Sequence, residues 1–154
     1  MTYRKLIAIG AFWCAAVFAS TALAAGMTSS DSKVQATAQY SNAADSQVEV
    51  RLTMADGWHV NANPASLDFL IPTSIEASAD GKTVPVDIDW PDGHDSGIDL
   101  GDTAILVYSN NTVIPVKLDT DTSEPLTLDV RVQACSDKGV CLPPSTLSVQ
   151  PTQS

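Results

Sequence analysis

Little in this sequence is positively charged. Eight Lys and Arg stand against 18 Asp and Glu over 154 residues, a formal net charge of −10. A nucleic-acid backbone or an anionic membrane surface would repel such a chain, so neither is expected as a partner. Charged residues of both signs amount to only 17%, while apolar residues reach 44%, a balance that excludes disorder as the default. Helical periodicity is also missing, since no window of a dozen residues carries a convincing apolar stripe. There is no internal repeat, no low-complexity stretch, no Gly-rich phosphate loop and no recognisable Ser–His setting for hydrolysis. Cysteine is rare, with Cys14, Cys135 and Cys141 alone. What remains is length enough for one ordinary domain.

The first two dozen residues read as an address rather than as fold. Met1 to Lys5 is basic, Leu6 to Val17 is strongly apolar, and the small residues Ala22 and Ala24 close an Ala-x-Ala end. That order describes a secretory leader over 1–24, cut after Ala24 with Ala25 a near alternative. The competing reading is a retained anchor over Leu6 to Ala25, which is about long enough to span a bilayer. A lipid-attachment role for Cys14 fails, because Phe12 and Trp13 precede it where small residues would be needed. Removal of the leader takes Arg4 and Lys5 with it and leaves a net charge of −12. The expected mature protein is periplasmic and not inserted in the membrane, in a compartment where disulfides persist.

Residues 25–33 are small and polar and read as a flexible tail, with one domain over 34–154. Within it, short alternating runs recur about every ten residues. They are Val34–Tyr40, Gln47–Met54, Trp58–Val60, Ser74–Ala77, Val84–Trp90, Ala104–Ser109, Val113–Leu118, Leu126–Ala134 and Thr146–Val149. A period of two marks strands with one buried face. Asn110-Asn111 reads as a hairpin turn, since Asn tolerates positive φ. Trp58, Phe69, Trp90 and Tyr108 are the expected large core residues. The fold class that results is all-β, an immunoglobulin-like antiparallel β-sandwich.

Cys135 and Cys141 bound a seven-residue loop after the longest strand. A bridge there stabilises by roughly 2–2.5 kcal/mol in the chain-entropy account, and it does not join distant strands across two sheets. A local bridge in a domain that barely needs it is a candidate for exchange chemistry. The competing reading is an inert bridge in a non-catalytic binding domain. Gly139 permits a sharp turn, Lys138 offers a cation that favours a thiolate, and Asp137 opposes it. Pro143-Pro144 keeps the second cysteine out of a regular ladder.

The segment Val130 to Pro144, VRVQACSDKGVCLPP, resembles the active-site segment of the N-terminal periplasmic domain of DsbD thiol–disulfide interchange proteins. Gly57-Trp58-His59-Val60-Asn61-Ala62-Asn63-Pro64, then Phe69-Leu70-Ile71-Pro72, and Val107-Tyr108 leading to Ile114-Pro115-Val116 extend the likeness over about Val34 to Val149. The resemblance implies a sandwich whose cysteine pair cycles between dithiol and disulfide. It implies that Cys141 enters a mixed disulfide with a partner and that Cys135 resolves it. Implied partners are thioredoxin-like oxidoreductases and, with this sequence stopping at Ser154, a membrane electron donor in trans. Such exchange needs no metal and no organic cofactor. The family covers its disulfide with a loop bearing an aromatic residue. The comparable stretch here, Asp92 to Asp102, has none, and Ile98 or Leu100 is the candidate apolar lid.

Other constellations carry less. His59, His94, Met54 and the thiols lack the His-x-His or Met-x-x-Met spacing of a copper site, and His59 beside Trp58 reads as a structural histidine. Asp87, Asp89, Asp92, Asp95, Asp99 and Asp102 do not follow calcium-loop spacing and read as a solvated acidic loop.

Overall fold

Between Gln47 and Met54 every second side chain is apolar. In the computed structural model of the protein these residues, Val48, Val50, Leu52 and Met54, are buried while their neighbours face solvent. The structure describes residues 28–41, 46–119 and 124–153. The leader read at 1–24, its Cys14 and the start of the adjoining tail lie outside the described residues. Among the described residues no helix is long and apolar enough to cross a membrane.

The strands in chain order are β1 Val34–Tyr40, β2 Gln47–Met54, β3 Trp58–Asn61, β4 Ser74–Ala79, β5 Lys82–Val84, β6 Val86–Ile88, β7 His94–Leu100, β8 Thr103–Tyr108, β9 Thr112–Leu118, β10 Leu126–Val132, β11 Ala134–Ser136 and β12 Ser145–Val149. They form three four-stranded sheets in the orders β1-β2-β9-β6, β12-β10-β4-β5 and β11-β3-β8-β7. The pairing within each sheet is antiparallel. Inward residues of the first two sheets, among them Val50, Leu52, Ile114 and Val116 against Ile75, Leu128 and Val130, share one core. The third sheet joins that core through Val60, Tyr108 and Ala134, and buries His59, Asn61, Ile105, Val107 and Cys135 as well. This is the immunoglobulin-like β-sandwich expected from the strand spacing.

The departures occur where the chain changes sheets. Val84–Trp90 is not one strand. Pro85 divides it, because proline lacks the N–H that a ladder needs, and β5 pairs with β4 while β6 pairs with β9 in another sheet. Leu126–Ala134 breaks likewise at Gln133, leaving β10 in the second sheet and β11 in the third. Asn111 does take positive φ, 67°, yet Asn110-Asn111 is no hairpin turn. It links β8 of the third sheet to β9 of the first, and Asn110 Oδ1 accepts the Met54 N–H at 3.1 Å to hold the crossing. Tyr108 is buried, and Trp58 and Trp90 pack partly buried against the core. Phe69 does not belong to it, being 72% exposed in the β3–β4 connection.

Leu128 lies fully buried near the centre of β10, an inner strand of the second sheet. Leu128→Ala removes apolar area and leaves a cavity, and the expected cost is about 2–5 kcal/mol. Urea unfolding, with the slope unchanged and the midpoint lowered, is the measurement that checks it.

Candidate functional site

β11 brings Cys135 to the end of the third sheet, and the chain then reverses within five residues. The Gly139 N–H donates to Ser136 O at 2.8 Å, and the Ser136 N–H donates to Val140 O at 2.8 Å. Gly139 occupies φ +78°, a conformation that costs a side-chain-bearing residue but not glycine. Cys141 returns opposite Cys135 in an isolated antiparallel bridge, and the two are joined as a disulfide with Sγ–Sγ 2.07 Å and Cα–Cα 4.0 Å. The Leu142 N–H still reaches Ala134 O at 2.8 Å before Pro143 and Pro144 end the pairing.

A buried serine holds the base of this hairpin. Ser30 Oγ accepts the Ala134 N–H at 2.8 Å and donates to Pro143 O at 2.7 Å. Its own N–H donates to the same carbonyl at 3.0 Å. Ser30 begins a 3-10 turn, Ser30–Ser32, inside the stretch read as a tail, so the packed domain reaches ahead of the boundary expected at Val34. On the other side Gln133 accepts from Asn61 Nδ2 and donates to Leu142 O, each at 3.4 Å.

The two sulfurs stand in unequal surroundings. Cys135 is buried, whereas Cys141 is exposed. Both line a small cavity of about 80 Å³, walled by Ile98 and Leu100 from β7, Ile105 from β8, Leu70 from the β3–β4 connection, and His59 and Asn61 from β3. Ile98 and Leu100, the two candidate lid residues, both line this cavity. The acidic loop expected over Asp87 to Asp102 is instead largely strand, with Asp87 in β6 and Asp95 and Asp99 in β7. β7 pairs with β8 through His94, Asp95, Asp99 and Leu100, with an irregular register between Asp95 and Asp99. Asp, Ser and Gly there conceal the alternation that would mark a strand. Phe69, Leu100 and Val140 are exposed apolar side chains. Leu100 lines the cavity, and the other two adjoin its lining residues Leu70, Gly139 and Cys141.

One polar pair at this site escaped the sequence. His59 faces Cys135 directly in the β3–β11 register and is only 5% exposed. Its Nδ1 lies 3.2 Å from Asp137 Oδ1, and the Asp137 N–H donates to Gly57 O at 3.0 Å. Asp137, read as a counterweight to Lys138, is the partner of His59. The structural reading of His59 therefore stands, but its neighbour across the strands is the buried sulfur. No spacing signal links residues 59 and 137, and only the β3–β11 pairing brings them together. His94 lies on β7, exposed, and shares a second cavity of about 310 Å³ with His59, Asp95 and Asp137.

At the third sheet's inner end, the Tyr108 hydroxyl accepts the Asn63 N–H at 3.1 Å and donates to Asn63 O at 3.3 Å. Burial pushes the phenol above its ordinary value of 10.0. The Asn63 backbone bond works the other way, and the negative charge of Asp92 adds to the rise.

Comparison with known proteins agrees with this architecture. The family model for the N-terminal part of the thiol:disulfide interchange protein DsbD matches residues 26–153. The chain belongs to that family. Among solved structures it is similar to the Neisseria meningitidis DsbD N-terminal domain in the reduced form, with TM-score 0.52 and 18% identity over 70% of this chain and 77% of that one. It is also similar to the N-terminal periplasmic domain of ScsB from Proteus mirabilis, with TM-score 0.51 and 18% identity over 77% of this chain. The match spans 46% of that ScsB chain. No curated protein sequence matches.

Two outcomes follow from this geometry. Leu100→Ser opens the apolar wall over the sulfurs, so reduction by dithiothreitol accelerates several-fold. Because Leu100 is 44% exposed, the loss of unfolding stability stays near about 1 kcal/mol, and stopped-flow reduction beside a thermal melt reads both. For Tyr108 the folded state keeps its proton to higher pH than the unfolded chain. Stability is therefore level below the ordinary tyrosine range and falls as pH climbs through and above about 10. Denaturation midpoints measured into the alkaline range check this, and Tyr108→Phe flattens the fall.

Proposed function

We propose that this chain is an exported thiol–disulfide exchange module, passing reducing equivalents between thioredoxin-like partners through a reversible Cys135–Cys141 disulfide. The observation that carries the reading is the asymmetry of the pair. Cys141 is an exposed residue on the returning limb, whereas Cys135 is buried, and both line a cavity walled by Ile98, Leu100, Ile105 and Leu70. Exchange requires an in-line approach to an accessible sulfur and a second thiol held beside it to finish the reaction. Cys141 is the sulfur that enters the mixed disulfide, and Cys135 is the one that resolves it. The family membership supports this assignment, as does the relative whose domain was solved in the reduced form.

The leader at residues 1–24 directs the chain to the periplasm, where thioredoxin-like oxidoreductases are its partners and a membrane electron donor acts in trans. The exposed apolar residues Phe69, Leu100 and Val140 around the sulfurs form the surface on which such a partner docks. Sulfur alone carries the electrons, so no metal or organic cofactor enters the reaction.

The reduction potential of the purified domain in glutathione or dithiothreitol buffers tests the reading. An exchange-active pair is more oxidising than about −300 mV, whereas an inert secreted bridge lies below it. In cells, Cys135→Ser traps a mixed disulfide between Cys141 and a thioredoxin-like protein, and Cys141→Ser traps none. A potential below that limit with no trapped partner leaves a non-catalytic binding domain.

A further inference from the structure

We propose that His59 is the base that takes the proton from Cys135 in the resolving step, with Asp137 as its positioning residue; this deepens the exchange function above and rests on it. Residues directly opposed on antiparallel strands send their side chains to the same face, with Cβ atoms about 4.5–5.5 Å apart. His59 and Cys135 are so opposed, and both line the cavity that holds the disulfide. Apart from the cysteines, His59 is the one titratable side chain among the described residues lining that cavity.

Chemistry calls for a base at this point. A thiol in an apolar cavity resists ionisation, yet only the thiolate attacks a disulfide. Cys135 is the buried sulfur, so it is the one that needs help. The Asp137 carboxylate can only accept, which assigns the Nδ1 proton of His59 to that 3.2 Å contact and leaves Nε2 as the basic nitrogen. Other charged groups face the imidazole from the opposite side. Asp56 before β3, and His94 and Asp95 on β7, share its second cavity with Asp137.

The step balances as follows. In the mixed disulfide, Cys141 Sγ is bonded to the partner's sulfur and Cys135 is a thiol. His59 Nε2 takes the Cys135 proton as Cys135 Sγ attacks Cys141 Sγ. The intramolecular S–S bond forms, the bond to the partner breaks, and the electron pair leaves on the partner's sulfur as a thiolate. The protein's pair is oxidised and the partner's reduced. The imidazolium then returns its proton to water or to that thiolate.

Dithiobis(nitrobenzoate) isolates the step without any protein partner. In stopped flow, the reduced mature chain releases one thionitrobenzoate as the adduct forms on Cys141 and a second as Cys135 displaces it. For the wild type, the rate of the second release bends with pH as a single basic group loses its proton. His59→Gln slows this phase roughly tenfold to a hundredfold near neutral pH, abolishes the bend, and meets the wild type at alkaline pH where Cys135 ionises unaided. The first phase is unchanged. Asp137→Asn, on an exposed turn, shifts the bend to lower pH and slows the same phase less; it decides the matter if His59→Gln does not fold. A folded variant whose second phase keeps the wild-type rate and pH profile overturns the proposal, and a change confined to the melting temperature does the same. Failure of the wild type to exchange with thioredoxin, with the His59-dependent bend intact, would sink the exchange function and not this assignment.

Discussion

The site depends on a single awkward residue of chain at Gln133, where the polypeptide leaves the second sheet and joins the third. Backbone groups at such a crossing lose their ladder partners inside the protein, and unpaired buried amides are costly. Three polar side chains make up the loss. Ser30 takes the Ala134 N–H, Gln133 bonds the Leu142 carbonyl, and Asn61 reaches back to Gln133. With these in place the short strand β11 can end as a hairpin whose base is fixed and whose tip projects from the sandwich. The Cys135–Cys141 disulfide sits on that hairpin.

From this arrangement the inequality of the two sulfurs follows without further machinery. The residue on the sheet side of the hairpin is covered by β7 and β8, and the residue on the returning limb, just before two prolines, is not. Ile98, Leu100 and Leu70 give the cavity beside the bond a largely apolar wall. The same wall makes an unassisted thiolate at Cys135 unfavourable, which gives the imidazole opposite it a purpose beyond packing.

How much of this could be read in advance varied with the physics involved. Strand β2 was plain, because QVEVRLTM alternates without interruption and burial enforces the period. The cysteines were plain because five intervening residues with glycine and paired prolines leave few alternatives. The sheet crossings at Pro85 and Gln133 were not, since a local run cannot reveal which of two sheets its halves will join. β7 was hidden because its side chains are Asp, Ser and Gly, which describe a loop until a neighbouring strand supplies hydrogen bonds. Phe69 was misjudged, as nothing local says that Leu70 rather than its larger neighbour turns inward. The His59–Asp137 contact depends on two crossings at once, so it became visible only with the fold.

The lid strand β7 is also the outer edge of its sheet, and its irregular centre is Gly97, flanked by Asp95 and Asp99. A twofold pairing of two such edges about Gly97 would set Asp95 of one copy against Asp99 of the other, twice over. Like charges directly opposed across strands oppose association, and a bulge bends the edge away from a flat template. The protein can therefore carry uncovered hydrophobic side chains beside its disulfide and still remain disinclined to aggregate through that rim.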